Sequence, residues 1–207
     1  MINVFCLWVG NKYSIDYVTK LKNMVKKNLT LEHKFICLTE KPNLHKIEGI
    51  EFKQAPVTVV DSWCKLSLFV PNLAKIYKGK AFYLDLDVVI TGKLDGLVNK
   101  TDNDKLTIIK DWWQPCYNSS IMIWELGKFT NIYLKFKPSD MQRLAGDQDL
   151  ITEIMDESQV DTFGEIAVQS YKANNLVDSF NKHTKIVVFH GKPKPDEVGG
   201  WVKDYWI

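Results

Sequence analysis

The decapeptide AFYLDLDVVI, Ala81 to Ile90, limits what this chain can fold into. Its aromatic and β-branched residues and its length read as a buried strand. Yet Asp85 and Asp87 stand inside it, with only Leu86 between them. Residues i and i+2 of a strand share a face, so the two carboxylates are expected to project together, ~6.6 Å apart at Cα. Like charges held in that way repel, and burying each without compensation is costly. Removing one is expected to relieve the metal-free protein. An ordinary alternative is that one Asp caps a turn and the other meets a lysine, but the apolar surroundings weigh against it. A divalent cation answers both costs at once. Paired hard oxygens suit Mg²⁺ or Mn²⁺, ions that usually hold substrate phosphates as well.

Around this strand, apolar segments of strand length alternate with helical spacing. Ile2–Val9 reads as a strand followed by a Gly10-Asn11 turn. Tyr13–Lys27 reads as a helix with apolar positions at Ile15, Val18, Leu21 and Val25 and with Ser14 as N-cap. Lys34–Leu38 and Ile50–Phe52 are further strands, and Asp61–Val70 is a helix capped by Asp61 or Ser62 and ended by Pro71. Leu106–Lys110, Ser120–Trp124 and Lys185–Phe189 read as strands, and Gly127–Phe136 and Gly146–Met155 as helices. Such alternation means an α/β fold, with a ligand site at the carboxyl ends of central strands. Asp85 and Asp87 lie near such an end, since Thr91-Gly92 soon breaks the run.

Composition narrows the function. The 207 residues are 45% hydrophobic, ample for the core of one domain. A net charge of +2 without a basic tract argues against nucleic-acid binding. No apolar run reaches the ~18 residues of a membrane span, and the start MINVFCLWVG reads as a strand rather than a signal peptide. Cys6, Cys37, Cys64 and Cys116 form no Cys-x-x-Cys pair, so neither a zinc site nor a disulfide framework is expected. These features together read as a soluble, reduced, cytoplasmic protein.

D-x-D after an apolar strand also opens the aspartyl phosphatases of the haloacid-dehalogenase type. Those carry the pair on the first strand and a later Gly-Asp-x-x-x-Asp; here the pair comes at 85, and Ile151 stands where the last Asp should be. The chain instead resembles the metal-dependent nucleotide-sugar glycosyltransferases of the GT-A fold, on the family 8 side of glycogenin and the lipopolysaccharide galactosyltransferases. It also looks like a compact subgroup that includes a glycosyltransferase of large algal viruses. The resemblance rests on VFCLWVGNKYS, WCKLSLF, YLDLDVVITGKLD, YNSSIMIW, GDQDLI and FHGKPKP, taken in order and spacing.

This resemblance implies a single GT-A domain: one Rossmann-like mixed sheet flanked by helices, residues 1–90 mainly binding nucleotide and 91–207 mainly on the sugar and acceptor side. It implies a nucleoside-diphosphate sugar donor, expected to be UDP-linked, and a glycan or glycoprotein acceptor. Asp85, Asp87 and His190 match the metal ligands, and an imidazole among them favours Mn²⁺ over Mg²⁺. Leu7, Trp8, Val9, Gly10 and Tyr13 match the base-binding stretch. Lys65, Leu86 and Gly191 fall at donor-contacting positions, and Asn118, Ser119 and Ser120 replace the family's Asn-Ser-Gly beside the sugar. Asp147 and Gln148, with Asp149 as second candidate, match residues at the reaction centre. Lys194, and otherwise Lys192, meets the leaving phosphate; the family's Lys-Pro comes six residues after the histidine, whereas Lys194 comes four after. Their loop is expected to be solvated without donor. Asp111, Trp112, Trp113 and Tyr117 crowd the same edge. A non-catalytic sugar- or nucleotide-binding module on the same scaffold is the other reading; it would not need the dyad, His190 and the lysines together.

Overall fold

The computed structural model describes residues 1–59 and 61–207, the Asp61 side chain excepted. The expected Asp61 cap therefore lies outside the described residues. Ten strands are described: β1 Ile2–Trp8, β2 His33–Thr39, β3 Glu51–Gln54, β4 Lys80–Leu84, β5 Val88–Ile90, β6 Leu106–Lys110, β7 Tyr117–Glu125, β8 Val160–Thr162, β9 Val168–Ser170 and β10 Ile186–Val188. A seven-stranded sheet runs β3-β2-β1-β4-β7-β6-β8, and a three-stranded sheet runs β5-β10-β9. In the large sheet β4 is parallel to β1 and antiparallel to β7. The result is a mixed sheet whose parallel half carries the N-terminal strands.

Both faces of that sheet are buried, which explains why its central strands read as continuous apolar runs. Along β1, Val4 and Cys6 join one core, while Phe5 and Leu7 join the other. Along β4, Phe82 and Leu84 face the first and Ala81 and Tyr83 the second, the period of two expected of a strand. The first core is closed by the helix Ile15–Asn28, which buries Val18, Leu21 and Val25, and by the small sheet. The second is closed by a 3-10 helix over Asp61–Phe69 and the helix Asp147–Ile154. Side chains such as Leu21, Leu66 and Phe82 are wholly enclosed, each worth roughly 1.5–3 kcal/mol of transfer free energy.

Several expectations need correction. Ser14 stands at the helix N-cap, but its hydroxyl makes no capping bond. The segment Asp61–Phe69 is 3-10 rather than α-helical, and only Asn131–Lys135 of the expected Gly127–Phe136 helix is helical. Most important, the acidic strand is two strands. Val88–Ile90 leaves the large sheet and pairs antiparallel with β10 in the small one, so Asp85, Leu86 and Asp87 form the crossing between sheets.

Candidate active site

The crossing begins where β4 gives up its last rung, the Asp85 N–H donating to the Ser120 carbonyl of β7 at 2.8 Å. Leu86 is buried and anchors the turn in the first core. Because the chain is turning, the two carboxylates do not share a strand face, and each meets its own lysine. Lys65 Nζ lies 3.0 and 3.1 Å from the two Asp85 oxygens and donates to Ser119 Oγ at 3.0 Å. Tyr83 OH, two residues back along β4, donates to Asp85 Oδ1. Asp87 accepts from Tyr13 OH at 2.8 Å and pairs with Lys194 Nζ, which also donates to the Phe189 carbonyl at 3.1 Å. Of the ordinary alternative, the lysine half holds for both carboxylates: lysines, not one but two, neutralise the pair.

Burial alone would lower the Lys65 pKa, but Asp85 and Asp147 together raise it, so the ammonium stays charged. The Tyr13 and Tyr83 phenols are pushed up, first by burial and then by Asp87 and Asp85 respectively. Both therefore remain proton donors to those carboxylates. Asp147 opens the helix Asp147–Ile154 and is 2% exposed. Desolvation raises its pKa against the pull of Lys65 and of the Ser119 and Ser62 hydroxyls, and its Oδ2 has no hydrogen-bond partner among the described residues. A buried carboxyl oxygen left unpaired costs stability, and this one lies in the field of Lys65.

Of the two loop lysines, the structure brings Lys194 to the acidic pair. Its side chain is buried, contrary to the expected solvated loop, whereas Lys192 is 75% exposed and pairs with Glu197. His190 lies two residues beyond β10, with Nε2 against Ser170 Oγ at 2.7 Å and its ring parallel to Trp112. Burial lowers its pKa, only partly offset by Asp111 and Asp87, so the imidazole is neutral near pH 7.

Other candidates scatter more widely. Asn118 Nδ2 donates to Asp111 at 3.2 Å while its Oδ1 accepts the Ser120 N–H at 3.0 Å, so it braces the strand entry. Gln148 is half-buried beside Asp147. Asp149 Oδ2 accepts the Ala145 N–H at 2.8 Å and closes the turn into the helix. At the end of β1, Trp8 Nε1 donates to the Tyr13 carbonyl at 2.9 Å, Leu7 is buried in the second core and Val9 packs against it. Gly10 takes φ 72°, a left-handed turn that favours glycine, and donates its N–H to the Glu40 carboxylate at 3.0 Å. Gly191, at φ 70°, turns the chain after His190. Sequence reasoning missed Tyr83, Glu40 and Ser170. Tyr83 was legible, being i−2 to Asp85 along β4; Glu40, just past β2, and Ser170, in β9, carry no local signal.

Among the described residues no three His, Cys, Asp or Glu side chains come together as a ready metal cage. The donor chemistry of Asp85 and Asp87 nevertheless fits a divalent cation, since each carboxylate already holds a positive charge. The Lys194 ammonium, held by the Asp87 carboxylate and the Phe189 carbonyl, stands in for such an ion. His190 does not join them while Ser170 holds its Nε2.

No family model matches the chain, and no curated protein matches it in sequence. Solved structures do match in shape. The glycosyltransferase GlyE of Streptococcus pneumoniae TIGR4 aligns with a TM-score of 0.69 at 13% identity over 99% of this chain and 59% of that one. This chain therefore spans about three fifths of GlyE's length. The galactosyltransferase LgtC, in complex with donor and acceptor sugar analogs, gives 0.63 at 14% identity, covering 94% of this chain and 89% of that one. A glycosyltransferase involved in glycosylation of the major capsid of PBCV-1 gives 0.60 at 11% identity, covering 95% and 96%. The fold is the GT-A fold that these glycosyltransferases share.

Proposed function

We propose that the chain is a glycosyltransferase of the family 8 type, moving a hexose or deoxyhexose from a nucleoside-diphosphate sugar, UDP-linked, to an acceptor hydroxyl on a glycan or glycoprotein. One observation carries the reading: the half-buried Lys65, the buried Lys194 and two carboxylates meet at the carboxyl end of β4, beside a buried carboxyl oxygen without a partner among the described residues. A scaffold module would have no use for so much buried charge, which is expensive unless a ligand exploits it.

In the transfer, the acceptor oxygen forms a bond to the anomeric carbon while the bond from that carbon to the diphosphate oxygen breaks. The electron pair leaves on the phosphate, and the acceptor proton passes to that departing oxygen. With attack from the leaving-group face, anomeric configuration is retained. The barrier lies in negative charge building on the diphosphate, and fixed positive charge aimed there lowers it. Lys194 supplies that charge from the loop after β10, and Lys65 holds Asp85 and the Ser119 hydroxyl at the sugar side. Asp147 accepts from a donor-sugar hydroxyl through its unpaired Oδ2, and Gln148 stands next to it. Asp85 and Asp87 would hold Mn²⁺, with His190 joining once its Nε2 leaves Ser170; bound there, the ion supplies Lewis-acid stabilisation of the diphosphate.

The test is nucleotide-sugar hydrolysis and donor binding with and without Mn²⁺ across a panel of nucleotide sugars. Metal-stimulated release of one nucleoside diphosphate is expected. A folded protein that neither binds nor cleaves any of the panel with Mn²⁺ present would dispose of the proposal.

A further inference from the structure

We propose that the Trp113 indole is the platform for the ring of an acceptor sugar, which makes the acceptor a glycan rather than the hydroxyl of a bare peptide. This inference rests on the glycosyltransferase reading and names the substrate class on its acceptor side.

Trp113 is 57% exposed, and it is the one aromatic among the large apolar side chains described as exposed; the others, Leu44, Ile76 and Leu134 among them, carry no ring. A lone exposed apolar residue needs no explanation, but the backbone of this one is pinned at the edge of the site. The loop between β6 and β7 is closed at its base by the Asp111 N–H on the Cys116 carbonyl at 3.0 Å. Inside it, Asp111 Oδ1 accepts the backbone N–H of Trp113 at 2.9 Å and of Gln114 at 3.0 Å. Burial alone would raise the Asp111 pKa, but those bonds and the Asn118 amide hold it below the usual carboxylate range, so the clamp stays ionised at neutral pH.

The same clamp sets two indoles around one imidazole. Trp112 lies parallel to His190, at 5.5 Å and 10°, and takes the inner side, where it packs against the first core. Trp113 meets His190 nearly at right angles, at 4.7 Å and 74°, and leaves much of its surface to solvent. His190 in turn lies in the field of Asp87 and Lys194. An acceptor resting on Trp113 is therefore one side chain away from the charges that receive the leaving group.

A pyranose presents an apolar C–H face and a rim of hydroxyls. An indole already held in place buries the face without a further ordering cost and leaves the rim free. The backbone of an extended peptide offers no such face. The two readings of Trp113, platform and incidental surface residue, differ in what its removal changes.

Wild type, Trp113→Ala and Trp113→Phe are compared for transfer to a series of methyl pyranosides and for nucleotide-sugar affinity by thermal shift. Trp113→Ala is expected to raise the acceptor KM about tenfold, while donor Kd moves less than twofold and Trp113→Phe keeps most of the acceptor affinity. In parallel, methyl pyranosides are titrated with UDP and Mn²⁺ present while indole emission is followed. A change seen in wild type and lost in Trp113→Phe is expected. An unchanged acceptor KM in Trp113→Ala, or a donor Kd that rises as much as the acceptor KM, overturns the platform. If no nucleotide sugar binds the wild type, it is the transferase reading that falls, and the emission titration still decides whether sugar stacks on Trp113.

Discussion

Asp87 is held by Tyr13 and Lys194, and that pairing reverses the sign of an expectation drawn from the acidic pair alone. If the two carboxylates merely repelled each other, Asp87→Ala would leave the protein as stable or more so. With Lys194 buried against Asp87, the substitution strands an ammonium in the interior and is expected to destabilise by about 3 kcal/mol. Adding Lys194→Met should return much of that loss, because both charges then go together. Denaturant unfolding of the single and double variants is the check, and an Asp87→Ala protein as stable as wild type would refute the pairing. Asp147 behaves oppositely. Its pKa is raised, chiefly by burial, so its contribution to folding is fully present below the ordinary carboxylate range and is lost as pH rises through the raised value. At neutral pH it is a cost. Asp147→Asn is therefore expected to match wild-type stability near pH 3 and to exceed it increasingly towards pH 7, while transfer falls at least a hundredfold. A stability difference that is flat with pH, or activity that survives, would contradict the role given to its free oxygen.

At the scale of elements, the continuous apolar runs of β1 and β4 and the helical spacing of Val18, Leu21 and Val25 made the central strands and the first helix legible, since burial on both faces of a strand or one face of a helix writes itself into the sequence. The break at Asp85–Asp87 was not legible. Val88–Ile90 is as apolar as β4, and nothing local says that it belongs to another sheet. Strands of three residues such as β8 and β9 are too short for any period to appear. The acidic pair itself was readable as a site, whereas its lysine partners lie 20 and 107 positions away, and only tertiary structure brings them in. One junction between elements offers its own test. Gly146 precedes the helix of Asp147 with φ 178°, an extended backbone open to any residue, so sterics and not conformation hold it to glycine. A Cβ there would sit 2.6 Å from Ser62 Oγ in the 3-10 helix. Gly146→Ala is expected to cost roughly 1–3 kcal/mol, and Ser62→Ala in the same chain should recover most of it by removing the offending oxygen. Equal thermal stability of Gly146→Ala and wild type would mean that the two helices are not so tightly apposed.

Across the whole molecule, the site is assembled from regions remote in sequence: the first turn with Tyr13, the 3-10 helix with Lys65, the crossing with Asp85 and Asp87, the helix of Asp147 and the last loop with Lys194. Charge balance links them. Without ligand the lysines serve as counter-ions for the carboxylates, so on the proposed function a divalent cation at Asp87 would first have to displace Lys194 from its buried place and would bind weakly alone. With the donor diphosphate present, the displaced ammonium would acquire a new anionic partner and the cost would be returned. Cation and donor would then be coupled through Lys194, and linkage makes such coupling reciprocal. Thermal unfolding measures it, because a ligand that binds only the folded state stabilises by RT ln(1 + [L]/Kd), about 2.7 kcal/mol at a hundred times Kd. In the wild type, Mn²⁺ and the nucleotide sugar together are expected to raise Tm by more than the sum of their separate shifts. In Lys194→Ala, Mn²⁺ alone should bind more tightly than to wild type, the combined shift should become additive, and turnover should fall because the leaving phosphate has lost its cation. Additive shifts in the wild type, or Mn²⁺ affinity unchanged by Lys194→Ala, would show that Lys194 does not stand in the cation's place.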